Sequence, residues 1–92
     1  MALSESALQG RIMSRLKKSG WECLKVVMCN RGGWPDISCF KDGVCFFIEV
    51  KRKNEVPKPL QLHVHSVLRE QGFNVYVIDD FTNLNQITEI EI

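Results

Sequence analysis

Residues 35–51 have the sequence PDISCFKDGVCFFIEVK, and this stretch decides the fold. Asp42-Gly43 separates two apolar runs, residues 36–40 and 44–50, and an Asp-Gly between such runs is a strong signal for a β-hairpin. The second run is apolar at nearly every position, as expected for a strand that is buried on both faces. In a hairpin centred on residues 42 and 43, Asp36 and Glu49 lie nearly opposite one another. The sequence therefore predicts two carboxylates at one end of a sheet.

Glu49 and Lys51 close the apolar run at alternate positions, so they project from the same face of the strand. Burying an unpaired carboxylate costs several kcal/mol, roughly 3 to 5 when a partner is missing. The pair therefore needs a compensating group, such as a cation or a water-filled cleft. We interpret this end of the hairpin as a site.

A helix is predicted over residues 4–18, since Leu8, Ile12 and Leu16 recur every four residues. Ser6 and Gln9 form a capping-box pattern at its start, and Gly20 follows its end. Helical geometry directs Glu5 and Gln9 into the middle of the apolar stripe. Glu5 is therefore expected to point toward the body of the protein or toward a cleft at its edge.

The other segments complete a predicted α/β domain. Residues 21–29 favour a strand, 30–33 a flexible turn, 59–71 a second helix that ends before Gly72, and 74–79 a last strand. Gln61 flanks the apolar stripe of the second helix and is expected to face the sheet. The strand-helix-strand order over residues 44–78 predicts a parallel neighbour for the hairpin and hence a mixed central sheet. Residues 81–92 fit either a short helix or an edge strand.

Composition fits one small domain over residues 1–92, because 45% of the residues are hydrophobic and 25% are charged. No apolar run approaches the roughly 18 residues that a membrane span needs, and the N-terminus lacks a signal pattern, so we expect a cytoplasmic protein with no membrane partner. The four cysteines show no C-x-x-C pair and are expected to be reduced thiols. The net charge of +1 neither favours nor excludes a nucleic-acid partner.

Asp36 and Glu49 together provide the oxygen ligands that a hard cation such as Mg²⁺ prefers. The backbone carbonyl of Val50 could add a third oxygen ligand. Lys51 could then orient or help deprotonate a water, while the ion stabilises negative charge on a phosphate. This combination is typical of metal-assisted phosphodiester hydrolysis.

Gly33-Trp34-Pro35-Asp36 and Ile48-Glu49-Val50-Lys51 together resemble the signature of the PD-(D/E)XK nucleases. With Glu5 and Gln9 on the first helix and Gln61 on the second, the chain resembles the VRR-NUC branch, the virus-type replication-repair nucleases. The resemblance extends from Glu5 to Val77 and implies a restriction-endonuclease-like core of one helix, three strands, a helix and a strand. Trp34 departs from the small or aliphatic residue that is common at its position.

The resemblance implies that Asp36, Glu49 and Glu5 bind Mg²⁺ or Mn²⁺, that Lys51 is the catalytic lysine and that Gln61 assists. It also implies an endonuclease that acts as a homodimer on branched DNA such as four-way (Holliday) junctions, as expected of single-domain phage members. Three alternatives stay open: a structured-DNA-binding module without activity, a flap or nicking nuclease, and a protein-interaction adaptor. His63 and His65 are two positions apart on a helix, and both are predicted to lie on the surface. The residues predicted to contact nucleic acid are Gln9, Arg31, Trp34, Arg52, Lys53 and Lys58.

Overall fold

A computed structural model of the protein describes residues 4–79. Two helices and four strands follow one another in the predicted order of one helix, three strands, a helix and a strand. Their bounds are α1 Glu5–Lys18, β1 Glu22–Lys25, β2 Ile37–Lys41, β3 Val44–Val50, α2 Pro59–Glu70 and β4 Asn74–Ile78.

The four strands form one mixed sheet in the order β1-β2-β3-β4. β1 and β3 each pair antiparallel with β2, and β4 pairs parallel with β3 after the crossover through α2. Asp42 and Gly43 both have positive φ, 49° and 80°, as a tight two-residue hairpin turn requires. The predicted hairpin, parallel crossover and mixed sheet are confirmed.

The two faces of the sheet carry different helices because side chains alternate along β3. Phe46, Ile48 and Val50 pack with the apolar stripe of α1, namely Leu8, Ile12 and Leu16. Phe47, on the other face, packs with Val64, Leu68 and Val75 under α2. Glu49 and Lys51 share the parity of Phe47, so the sequence alternation directs them toward α2.

Several local predictions were wrong in detail. Ser4, and not Ser6, caps α1, because the Ser4 hydroxyl accepts a hydrogen bond from the Ala7 N–H at 3.1 Å. β1 stops at Lys25, and Val26 instead donates its N–H to the Asp36 carbonyl at 2.8 Å. Beyond it, Val27 and Met28 are 85% and 91% exposed.

The predicted helix or edge strand at 81–92 lies outside the described residues. Within residues 4–79, neither helix is long and apolar enough to cross a membrane. Cys23 and Cys39 face each other across β1 and β2 as thiols, with their sulfurs 3.8 Å apart.

Candidate active site

The hairpin brings Asp36 and Glu49 together at the end of the sheet opposite the turn. Ile37 pairs with Ile48, so the next residues outward, Asp36 and Glu49, are neighbours across the strands. The Asp36 carboxylate accepts the Val50 N–H through Oδ2 at 2.7 Å. Asp36 is thus held by the backbone of the strand that carries Glu49, and the two acidic side chains are fixed relative to one another.

The Glu49 carboxylate is buried, with only 1% of the residue exposed. Its Oε1 lies 3.0 Å from His65 Nε2, and its Oε2 accepts a hydrogen bond from Gln61 Nε2 at 3.5 Å. Lys51 Nζ stands 3.9 Å from the same Oε2 and is itself nearly buried. Three side chains therefore surround one carboxylate, two of them from α2.

The electrostatic environment opposes ionisation of Glu49. Burial is the main cause that raises its pKa, to about 8, and the hydrogen bond and negative charge of Asp36 add to it. Lys51 acts in the opposite direction but does not outweigh these effects. A cation between the carboxylates would relieve this repulsion, so the site is electrostatically prepared for one.

Lys51 is positioned by the backbone as well as by its charge. Its N–H donates to the Ile78 carbonyl at 2.9 Å, which extends the pairing of β3 and β4 by one residue. Only 7% of the residue is exposed. The ammonium group is consequently held beside Glu49, as the alternation in the sequence predicted.

The start of α1 provides two further polar side chains. Glu5 is half-buried, and its charge contributes to the raised pKa of Glu49, so it lies close to the carboxylate pair. Gln9 is 8% exposed, and within residues 4–79 its Oε1 has no hydrogen-bond partner. Both side chains lie on the inward side of the helix, as expected from its apolar stripe.

α2 supplies Gln61 as predicted. Its Oε1 accepts the Lys58 N–H at 2.8 Å at the start of the helix, while its Nε2 reaches Glu49. The amide is therefore oriented by the start of the helix, with its nitrogen directed at Glu49.

His65 was missed by the sequence prediction. It was assigned to the surface with His63, yet it is fully buried against Glu49, whereas His63 is exposed. The signal was present, because His65 follows Gln61 by four residues and thus lies one turn along the same helix face. Its pKa is lowered, chiefly by burial and then by the charges of Arg69 and Lys51, which favours the neutral imidazole.

The loop before Asp36 rests on the first turn of α2. A side chain on Gly33, whose φ is +80°, would place its Cβ 2.8 Å from the Leu60 carbonyl oxygen. Trp34 packs edge-to-face on Phe47 with ring centroids 5.5 Å apart, and it is half-buried. The predicted flexible turn is therefore in close contact with the helix that carries Gln61.

The predicted nucleic-acid contacts fall into two groups. Arg31, Arg52, Lys53 and Lys58 are exposed, and Arg52 approaches Glu55 at 3.8 Å. Trp34 and Gln9 are instead half-buried and buried. The exposed cations lie in the segments that precede Asp36 and follow Glu49 in the sequence.

The donor set fits a hard divalent cation better than a soft one. Throughout residues 4–79, no three His, Cys, Asp or Glu side chains are grouped as a ready-made metal cluster. Mg²⁺ does not need such a cluster, because it is usually held by one or two carboxylates and keeps several waters. Asp36 and Glu49 provide those carboxylates, and their mutual repulsion gives the cation an electrostatic role.

Comparison with known proteins agrees with this geometry. The chain is 32% identical over 78 residues to "Putative nuclease p44" of Acyrthosiphon pisum secondary endosymbiont phage 1, covering 84% of each sequence. A solved structure described as "VRR_NUC domain" superposes with a TM-score of 0.82 at 32% identity, over 92% of this chain and 94% of that one. This chain belongs to the VRR-NUC family of nucleases. No family model matches the sequence, so the VRR-NUC assignment rests on these two relatives.

Proposed function

We propose that this VRR-NUC domain is a divalent-cation-dependent endonuclease that cuts structured DNA, with branched duplexes such as four-way junctions as its substrates. The observation that supports this best is the pair of facing carboxylates, Asp36 and Glu49, with Lys51 Nζ 3.9 Å from Glu49. Such an arrangement destabilises the domain when no cation is bound. A domain that only bound DNA would have no use for it.

Asp36 and Glu49 would hold Mg²⁺ or Mn²⁺, with the Val50 carbonyl and Glu5 as further oxygen ligands. When bound, the ion supplies a nucleophilic water at neutral pH and stabilises negative charge on the phosphate. Lys51 orients the attacking water and adds positive charge beside the phosphate. Gln61 keeps the Glu49 carboxylate oriented through its hydrogen bond.

Sequence-independent affinity for DNA would come from the exposed cations around the site. Arg31, Arg52, Lys53 and Lys58 lie in the two loops next to the catalytic strands. Lysine and arginine contacts to phosphates position a duplex without reading its sequence. This suits an enzyme that recognises DNA by its structure.

A homodimer would place two such sites on one branched substrate. An exposed apolar surface lies beside β1, where Leu24, Val27 and Met28 border a groove that reaches Trp34 and Phe40. Patches of this kind often mark protein interfaces. We expect Met28→Asp to shift the protein from dimer to monomer in sedimentation, and a monomeric parent with or without junction DNA would contradict dimer formation.

Cleavage assays on labelled substrates test the activity. Four-way junction, flap, linear duplex, single-stranded DNA and RNA should be incubated with Mn²⁺ or with EDTA and the cut sites mapped. Asp36→Asn keeps an oxygen for the Val50 N–H but removes the charge, so cleavage should fall on the order of 100-fold or more. Asp42→Asn is the matched control, because it makes the same change at the opposite end of the same hairpin.

The outcomes separate the alternatives. Junction cutting that needs Mn²⁺ and Asp36 supports the proposal. Binding without cleavage would identify a non-catalytic DNA-binding module, and cutting confined to flaps or single nicks would identify a flap or nicking nuclease. Unchanged cleavage by Asp36→Asn would show that the site is wrongly placed.

A further inference from the structure

We infer that His65 is a positioning residue that holds the Glu49 carboxylate in the orientation needed at the cation site. The inference rests on the proposed function, since it assigns a role toward the same carboxylate. His65 itself touches neither Asp36 nor the exposed side of the site in any hydrogen bond of the described residues. Its effect is therefore expected to act through Glu49.

The contact between the two residues is short and fully enclosed. His65 Nε2 lies 3.0 Å from Glu49 Oε1, and the side chains are 0% and 1% exposed. Bulk water therefore does not reach the contact in the folded protein. A buried carboxyl oxygen without a hydrogen-bond donor is strongly disfavoured, so loss of the imidazole should destabilise this orientation of Glu49.

His65 and Gln61 act as a pair on one helix face. They are four residues apart on α2, which places them one turn from each other on the same side. His65 reaches Oε1, and Gln61 Nε2 reaches Oε2 at 3.5 Å. Each carboxylate oxygen thus receives one donor from α2 and keeps a second lone pair for another partner.

The other ring nitrogen indicates which tautomer is present. Within residues 4–79, His65 Nδ1 is buried and has no hydrogen-bond partner. A proton on Nδ1 would leave a buried N–H without an acceptor, which costs the full desolvation of that group. The proton therefore belongs on Nε2, where His65 donates to the carboxylate.

Fixing Glu49 before the cation arrives favours binding, because a free glutamate side chain would lose rotamer freedom at that moment. Residues that orient the ligands of a metal in this way commonly change metal affinity by roughly 10- to 100-fold when they are mutated. We expect an effect of that size for His65.

Three variants test the role through Mn²⁺ affinity, measured by titration calorimetry or by electron paramagnetic resonance. His65→Leu fills much of the space but has no donor, and its dissociation constant should rise about 10- to 100-fold. His65→Gln retains an Nε2 donor and should recover most of the affinity. His63→Gln is the control, because the exposed His63 lies two residues earlier on the same helix and should bind Mn²⁺ like the parent.

Nitrogen-15 NMR on the unchanged protein provides a readout independent of activity and of how the variants fold. The His65 ring should show the Nε2–H tautomer, and an Nδ1–H tautomer would overturn the assignment. Unchanged Mn²⁺ affinity in His65→Leu would overturn the role of His65 alone. Failure of the parent to bind Mn²⁺ and to cut any substrate would instead overturn the proposed function, and the inference with it.

Discussion

Substitution of Gly33 by alanine tests how closely the loop before Asp36 must approach α2. Gly33 has φ +80°, and a Cβ added there would lie 2.8 Å from the Leu60 carbonyl oxygen and 3.0 Å from its Cγ. The oxygen belongs to the backbone, so no side-chain rotation removes the clash. Either the loop or the first turn of α2 must move.

Two costs are expected in Gly33→Ala. The left-handed backbone conformation costs an alanine about 1–2 kcal/mol. Forcing an extra methyl group into a packed contact typically adds another 1–3 kcal/mol, roughly. The free energy of unfolding should therefore fall by about 2–5 kcal/mol in total.

Gly43→Ala separates these two costs. Gly43 also has φ +80°, but nothing lies within 4 Å of its added Cβ. It should lose only the conformational part, about 1–2 kcal/mol, in urea unfolding. Equal losses in the two variants would refute the claim that the contact with Leu60 matters.

Cleavage should separate the variants further. Gly33 precedes Asp36 by three residues, and Leu60 precedes Gln61 directly, so the displaced segments carry two sides of the site. Gly33→Ala should lose activity even under conditions where it is fully folded, whereas Gly43→Ala should keep it. Full activity of folded Gly33→Ala would show that the close approach serves stability alone.

Three other predictions concern charge and metal. Because the pKa of Glu49 is raised from 4.5 to about 8, the folded metal-free protein holds this proton more tightly than the unfolded chain. The free energy of unfolding should thus fall as pH rises from about 4.5 to 8. Urea unfolding of Glu49→Gln at the same pH values should lack this fall, and the same pH dependence in both proteins would contradict the burial of the Glu49 carboxyl group. EDTA should stop cleavage yet lower the melting temperature only slightly, because within residues 4–79 no three His, Cys, Asp or Glu side chains are grouped as a structural zinc site would require. A large drop in melting temperature would contradict this. Lys53→Ala should weaken DNA binding on all sequences and reduce the slope of log affinity against log salt by about 1, and an unchanged slope would exclude a phosphate contact there.

The hairpin was predictable from the sequence because its turn and its apolar runs are local signals. Asp42-Gly43 sets the turn, and the lengths of the runs place Asp36 opposite Glu49. Strict alternation of side chains along the strand then places Lys51 on the same face as Glu49. These three residues could be placed without knowing how any other element packs.

Details that depend on packing were not predictable in the same way. Ser4 and Ser6 are both suitable caps, and only the structure shows that the Ser4 hydroxyl accepts the Ala7 N–H. Lys25 pairs with Ile37, the first residue of β2, and Val26 adds one backbone hydrogen bond to the Asp36 carbonyl, after which Val27 and Met28 are exposed. Propensity alone cannot show where a neighbouring strand stops.

The burial of His65 could not be predicted from that residue alone. A histidine on a short helix is usually exposed, and its two-residue spacing from His63 excludes a shared metal. Its four-residue spacing from Gln61 is the informative relation. Residues four apart lie on the same face of a helix, so the expectation that Gln61 faces the sheet applies to His65 as well. The burial of that turn, however, depends on how α2 lies over β3 and β4.

The site is therefore built from two parts of the chain, the β2–β3 hairpin and α2, and each part can be mutated separately. The hairpin fixes the carboxylates relative to each other, because the Val50 N–H of one strand holds Asp36 of the other. The crossover through α2 brings the donors that hold Glu49, and these come from a segment distant in sequence. Changes in the hairpin should disturb both acidic residues at once, whereas changes on the inner face of α2 should leave Asp36 in place and release Glu49. The orientation of the buried Glu49 carboxylate, and with it the proposed cation affinity, should consequently depend on α2. Gln61 and His65, the two donors of α2, nevertheless lie outside the short motif that carries Asp36 and Glu49.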